Sequence, residues 1–339
     1  MLITSDLSRY VWTFWRAMKM HDYVLRLYNK SSEAMMELAD DEVALTVTSP
    51  PYWNAIDYDV HSKKGNNEWY RTRKYAVGFE GYNDYLAFIE RVYREVFRAT
   101  KPGGFACTVV GTILHDKSHI PLPFHFSQVL CDIGWEFHQD IIWHKCTAGV
   151  KRAGSVIQKR LPGYFYPNIM TEYILVHRKP GEPIYRTASH EAKVKSKIEI
   201  NKLFVTDTAN NIWHVAPVPP GVIDHPCPFP EEIPLRLITL YSHVGDVVLD
   251  PFVGSGQTAK VAIALNRHAV GYDVQSKYVD MTKERVHEPL AVRPQQLIAQ
   301  FERIHINAPL ENKYTGLKRT RPRQLKLLDV DPNMRLFKE

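Results

Sequence analysis

The chain has 339 residues, 45% of them hydrophobic, which suits one large domain or two modest ones with a sizeable core and excludes a disordered chain. Its 43 Lys and Arg against 37 Asp and Glu give a net charge of +6, only mildly basic. No run of about 18 apolar residues is present, so no membrane-spanning helix is expected.

The opening Met1-Leu-Ile-Thr-Ser-Asp6 lacks the basic-then-apolar pattern of a secretory signal. The cysteines at 107, 131, 146 and 227 form no CxxC pair, which argues against a zinc site or a disulfide framework and for a reducing cytoplasm. The cations are clustered: Lys63, Lys64, Arg71, Arg73 and Lys74 around Trp69 and Tyr70; Lys145, Lys151, Arg152, Lys159 and Arg160 with no acid between; and a run from Lys313 to Lys326. Three such clusters suit a polyphosphate partner.

In chain order, Val43-Ala-Leu-Thr-Val47 reads as a buried parallel strand ending at a double proline. Residues 83–99 carry apolar side chains at helical spacing, with Asn83 or Asp84 as N-cap; Lys101-Pro-Gly-Gly104 stops the helix and Phe105 to Val110 forms the next strand. Residues 122–133 suit another helix, and Phe137 to Trp143 and Glu172 to Val176 two further strands. Residues 180–212 are polar and weakly periodic and read as a small appended region. Seven prolines between 216 and 234 predict extended, irregular backbone. A second strand–turn–helix–strand unit follows: Asp246 to Asp250, a turn over Pro251 to Gly256, a helix over Gln257 to Leu265, a strand over His268 to Asp273 and a helix from Tyr278. Such alternation predicts a doubly wound α/β sheet with ligands at the carboxyl ends of its strands.

Two segments carry chemistry. In Asp250-Pro-Phe-Val-Gly-Ser-Gly256, the glycines permit a sharp turn and close backbone approach, and the helix that follows aims its N–H groups at the ligand. Asp273, at the end of the next strand, is placed to accept ribose hydroxyls. No Lys-Ser/Thr follows Gly256, which excludes a P-loop, and Ala259 takes the place of a third dinucleotide-binding glycine. The turn therefore suits a nucleoside cofactor.

The other segment is Thr48-Ser-Pro-Pro-Tyr-Trp53. An aromatic exocyclic amine is a poor nucleophile because its lone pair is delocalised into the ring. The Ser49 hydroxyl and the Pro50 carbonyl can accept its two N–H bonds, with the Pro50-Pro51 step fixing their direction. Tyr52 offers a stacking face, and Trp53 packs behind it. Positioning and electrostatics then suffice without a covalent nucleophile. A base in a duplex would have to be flipped out to reach such a clamp.

Together these segments resemble the amino-methylating DNA methyltransferases in their permuted, beta arrangement, over residues 23–290. The resemblance implies a class I methyltransferase fold with a seven-stranded, mostly parallel sheet, S-adenosylmethionine as cofactor, no metal, and double-stranded DNA as partner. It also implies a companion restriction endonuclease and a monomer or homodimer. The Ser form of the clamp is typical of cytosine-N4 enzymes, with adenine-N6 methylation as the alternative. A catalytically dead DNA-binding scaffold would not need these intact motifs, and protein-glutamine methylation would call for an Asn-Pro-Pro-Tyr form. By carry-over, Ser49, Pro50, Pro51 and Tyr52 are catalytic. Asp250, Pro251, Phe252, Gly254, Ser255, Gly256, Thr258 and Asp273 hold the cofactor, and Pro226, Phe229 and Pro230 line its pocket. Lys151, Arg152, Lys159 and Arg160 face DNA. The implied organisation is an N-terminal extension (1–22), a catalytic half (23–179), a target-recognition insert (180–212), a cofactor half (213–290) and a basic tail (291–339). Relatives often carry Thr-Thr after the second glycine, where this chain has Gln257-Thr258.

Overall fold

The computed structural model describes residues 23–53, 79, 81–115, 118–145, 169–201, 204–219, 221–225 and 227–291, all within one compact unit. Ten strands are present among them: β1 (Leu25–Tyr28), β2 (Val43–Thr48), β3 (Thr100–Val110), β4 (Ile113–His115), β5 (Ser118–Ile120), β6 (Glu136–His144), β7 (Thr171–Arg178), β8 (Ile212–His214), β9 (Val247–Asp250) and β10 (His268–Tyr272). The helices are α1 (Tyr82–Ala99), α2 (Leu122–Ile133), α3 (Ile184–Thr187), α4 (His190–Lys195), α5 (Glu232–Tyr241), α6 (Gln257–Ala264) and α7 (Ser276–Arg285), with one π-helical turn over Phe204–Thr208. None of the described helices is long and apolar enough to cross a membrane.

Eight strands form one sheet in the order β1-β10-β9-β2-β3-β7-β6-β8, and β4 and β5 pair apart from it. Neighbours are parallel except where β7 runs against β3 and β6. The sheet is therefore doubly wound and mostly parallel, as expected, with one strand more than the seven implied. The added edge strand is β8, which runs parallel to β6 and begins at the last residue of the stretch expected to be an appendage.

Side chains alternate across the sheet and fill two cores. On one face, Tyr85, Ile89, Val92 and Val96 of α1 and Phe126 and Leu130 of α2 pack on Ala106, Val110, Leu249 and Val270. On the other, Ile233 and Leu237 of α5 and Val261 and Ala262 of α6 pack on Leu45, Val47, Cys107, Val109 and Val248. All six residues of β2 are buried, which is why that strand reads as a continuous apolar run.

Several boundaries differ from the sequence reading. The N-cap of α1 is Gly81, whose N–H donates to Asp84 Oδ2 at 2.9 Å, so Asp84 acts from the first turn. Lys101 to Gly104 belong to β3 itself, where the register against β2 shifts between Val43 and Leu45. The proline-rich stretch gives way to α5 already at Glu232. Pro234 falls in the first turn of that helix, where its missing N–H would have had no intrahelical acceptor. Residues 179–196 run along the amino ends of the sheet: Gly103 N–H donates to Lys179 O (3.0 Å), Lys179 N–H to Gly104 O (2.9 Å), and Val244 N–H to Ser196 Oγ (2.7 Å).

Candidate active site

Strands β2 and β9 are adjacent and parallel, with Leu45 opposite Val248 and Thr46 opposite Leu249. Their carboxyl ends carry the two sequence motifs side by side. The link is direct: Thr48 Oγ1 donates to Asp250 Oδ1 at 2.6 Å across 202 residues of chain. Thr258 Oγ1, at the start of α6, donates to Val47 O at 3.1 Å. Ser49 and Gly254 therefore lead away from neighbouring strand ends at the carboxyl edge of the sheet.

Asp250 is only 2% exposed. Burial pushes its carboxyl up to about 6, against the contrary pull of the Thr48 hydroxyl and the Phe252 N–H (3.0 Å). The turn beyond it adopts left-handed backbone at Gly254 (φ 48°) and Gly256 (φ 78°). A Cβ at Gly254 would lie 2.8 Å from His225 Nε2, and one at Gly256 2.7 Å from Thr282 Oγ1, so both positions need glycine for space as well as for φ. Asp273, half-buried at the end of β10, accepts from Gly254 N–H through Oδ2 (3.1 Å) and from Gln275 N–H through Oδ1 (2.8 Å). Burial raises its pKa, and those two N–H groups offset part of the rise. A carboxylate oriented by two backbone donors retains lone pairs for a vicinal diol, beside a turn with no side chain in the way. These residues fit a nucleoside cofactor.

The proline-rich segment closes on the same turn. The His225 ring packs against Tyr278 (centroids 4.9 Å). Gln257 ties Phe229 to the turn: its Nε2 donates to Phe229 O (2.9 Å), and its Oε1 accepts from Arg285 Nη2 (2.8 Å). Gln257, the departure from the relatives' Thr-Thr, thus has a structural task here. Phe229 and Phe252 are half-buried and Pro230 is buried, while Pro226 lies outside the described residues.

In the clamp, Pro50 is buried and Ser49, Pro51 and Tyr52 are half-buried. Tyr52 Oη is 3.1 Å from Glu172 Oε2 and 3.3 Å from Val109 O. Burial, reinforced by the Glu172 carboxylate, holds the phenol well above its ordinary pKa. Trp53 is 8% exposed and packs on Tyr82 (centroids 5.1 Å), behind the clamp and within the core.

The profile of the N6/N4 methyltransferase family, described as DNA methylase, matches residues 43–284. The chain belongs to this family. The Type II methyltransferase M.MthZI of Methanothermobacter thermautotrophicus is 30% identical over 286 residues, covering 78% of this chain and 77% of the relative. The Type II methyltransferase M.MjaI of Methanocaldococcus jannaschii is 29% identical over 277 residues, covering 74% and 88%. Among solved structures, a DNA modification methylase of Thermus thermophilus in complex with S-adenosyl-L-methionine superposes with a TM-score of 0.58 at 31% identity, over 78% of this chain and 94% of the other. The cytosine-N4-specific PvuII DNA methyltransferase shares the fold, with a TM-score of 0.56 at 16% identity over 84% and 94%. The fold of the methylase is accordingly that of the class I S-adenosylmethionine-dependent methyltransferases.

Of the sequence-predicted residues, the structure brings the Ser49–Trp53 and Asp250–Thr258 segments and Asp273 together at the carboxyl edge of the sheet. Lys151, Arg152, Lys159 and Arg160 lie outside the described residues. Sequence reading missed Thr48 as the hydrogen-bonded link between motifs. It also missed Gln257 and Arg285 as braces of the turn, Glu172 and Lys145 behind Tyr52, and His225 against Gly254. For Glu172 a signal existed: an acid at the first turns of an otherwise apolar strand, Thr171-Glu-Tyr-Ile-Leu-Val176, needs a partner.

Proposed function

We propose that this methylase transfers a methyl group from S-adenosylmethionine to the exocyclic N4 amine of a cytosine flipped out of a specific duplex DNA sequence. It would act as the modification enzyme of a restriction-modification system, alongside a companion endonuclease. The observation that carries the reading is the Thr48–Asp250 hydrogen bond, because it holds an amine clamp and a nucleoside-type glycine turn at adjoining strand ends. That the relatives are Type II methyltransferases supports the biological setting.

The bound cofactor supplies an electrophilic methyl on a sulfonium centre. Asp273 would accept its ribose hydroxyls, the backbone around Gly254 and Gly256 would approach its chain, and Phe252, Phe229 and Pro230, with Pro226, would line its apolar side. The Ser49 hydroxyl and Pro50 carbonyl accept the two amine N–H bonds and turn the nitrogen lone pair out of the ring plane. Tyr52 stacks on the extrahelical base. Flipping that base costs a few kcal/mol of unstacking, which phosphate contacts from Lys151, Arg152, Lys159 and Arg160 would offset. The described flanks of that segment, Lys145 and Met170, stand at the carboxyl end of the sheet, joined by Lys145 N–H to Met170 O at 3.0 Å. Trp53, next to the 54–78 segment, follows the carboxyl end of β2 and so stands at the same end. Residues 179–196 lie at the opposite end, so we assign base readout to the 54–78 and 146–168 segments rather than to that part of the 180–212 stretch.

The deciding experiment incubates the protein with S-adenosylmethionine and amplified, unmodified bacterial genomic DNA, digests the DNA to nucleosides and weighs them. N4-methyldeoxycytidine is expected. N6-methyldeoxyadenosine would transfer the proposal to adenine, and no methylated nucleoside would end it. Tyr52→Ala should lower turnover about 10- to 100-fold, the loss of one base–aromatic stack, with cofactor affinity retained.

A further inference from the structure

Two walls of the cofactor site hang on one side chain that lies outside both motifs. Arg285, the last residue of α7, donates through Nη1 to Ser255 O in the glycine turn and through Nη2 to Gln257 Oε1 at 2.8 Å. Gln257 Nε2 in turn donates to Phe229 O, in the proline-rich wall, at 2.9 Å. Ser255 and Gln257 are buried, and the Arg285 side chain is only 11% exposed. Two carboxylates face the guanidinium: Glu288 Oε2 lies 3.5 Å from Nε and Glu231 Oε1 3.7 Å from Nη2. Lys260 Nζ shares both, at 2.7 Å from Glu231 Oε1 and 3.1 Å from Glu288 Oε2, and Ala291 N–H donates to Glu231 Oε2 at 2.7 Å.

A guanidinium has donors only, so Ser255 and Gln257 must both present oxygens to it. That settles which way the Gln257 amide faces: with Oε1 toward Arg285, its nitrogen is the end that meets the Phe229 carbonyl. Turned over, the amide would set oxygen against oxygen at Phe229 and N–H against N–H at Arg285. Arg285 therefore makes the contact between wall and turn attractive. Its planar fork suits the task, since one rigid group spans two acceptors. A threonine at position 257 has a single short hydroxyl and could not bridge Phe229 and Arg285.

We infer that Arg285, acting through Gln257, holds the proline-rich wall and the glycine turn at the spacing the cofactor needs, and so sets the affinity for S-adenosylmethionine. Both are positioning residues, acting through Phe229 and the turn. The inference rests on the placement of the cofactor at this turn and is independent of which base is methylated. Arg285 can be replaced without stranding a carboxylate, because Glu231 keeps Lys260 and the Ala291 N–H, and Glu288 keeps Lys260.

The test is calorimetric titration of the full chain with S-adenosylmethionine, beside single-turnover methyl transfer at saturating cofactor and the thermal midpoint of each variant. Gln257→Glu decides it: the carboxylate still accepts from Arg285, now as a charge-assisted bond, but turns an oxygen on the Phe229 carbonyl. Its dissociation constant should rise about tenfold, the size of one lost hydrogen bond, with the thermal midpoint close to wild type. Gln257→Leu should lose about as much affinity. Arg285→Lys keeps the charge without the fork and should also lose about tenfold. In each case transfer at saturating cofactor should fall less than affinity does. Gln257→Leu in the Arg285→Lys background should add little, since the tie is already loosened. Wild-type affinity in Gln257→Glu, or losses that multiply across the pair, overturns the inference while leaving the cofactor site standing. Affinity lost only in step with the thermal midpoint makes the role structural and overturns it too. A wild-type protein that takes up no S-adenosylmethionine overturns the cofactor placement along with it.

Discussion

Replacing Asp250 by Asn tests how the two motifs are joined, because it removes one charge from a buried point of the site while preserving its shape. Asp250 Oδ1 accepts from Thr48 Oγ1 (2.6 Å) and Phe252 N–H (3.0 Å), and an amide oxygen can take both bonds. The amide N–H2 would then face Thr258 Oγ1, which spends its own proton on Val47 O and keeps lone pairs to accept. Burial raises the Asp250 pKa from 3.8 to about 6 in the folded protein. For an acid this means that the native state holds a proton the unfolded chain has already released between those values. The Asp250 contribution to wild-type stability therefore falls as pH rises from about 4 to about 6 and is level above it, and the charged form costs about 3 kcal/mol at neutral pH. Asparagine does not titrate. The stability difference between Asp250→Asn and wild type, from urea unfolding across pH 4 to 8, should shift in favour of the variant by up to about 3 kcal/mol between pH 4 and pH 7. Any fixed cost of exchanging carboxylate for amide displaces the whole curve without changing that slope. A difference flat across this range, or one that moves against the variant, would refute the account of a carboxylate buried with too few donors.

Further outcomes follow from the same geometry. Asp273→Ala should weaken S-adenosylmethionine binding about 100-fold in calorimetry, as expected for charge-assisted hydrogen bonds at about 1.5–3 kcal/mol each; unchanged affinity would remove Asp273 from the cofactor site. Gly256→Ala combines left-handed backbone (φ 78°) with a Cβ 3.0 Å from Thr282 Cα, so it should lose at least about 2 kcal/mol in unfolding. Thr282→Ser should not restore that loss, because the backbone contact remains. Lys151→Ala with Arg152→Ala should lower the slope of log affinity against log salt by about 2, at about 0.9 per phosphate contact. An unchanged slope would place these cations away from the DNA.

Buried parallel strands were legible in the sequence because both of their faces are apolar. Val43–Thr48 and Val247–Asp250 stand out for that reason, and so do the helical spacing of α1 and the glycine turn between β9 and α6. Elements that depend on tertiary partners left weaker marks. β1 is four half-buried residues held at the sheet edge by β10, and β8 is three residues paired only with β6. α5 begins inside a proline-rich stretch, and only the buried faces of Ile233, Leu237 and Ile238 reveal it as a helix.

Local chemistry, then, was written along the chain: a rigid Ser-Pro-Pro-Tyr step offers aimed acceptors beside a ring, and two glycines in a turn that opens a helix leave backbone bare. Neighbourhood was not. Pairing β2 with β9 across 202 residues, and carrying Glu172 to Tyr52 on an antiparallel strand, are decided by sheet order. Sheet order follows from which apolar faces can be buried together, and no short window of sequence records that.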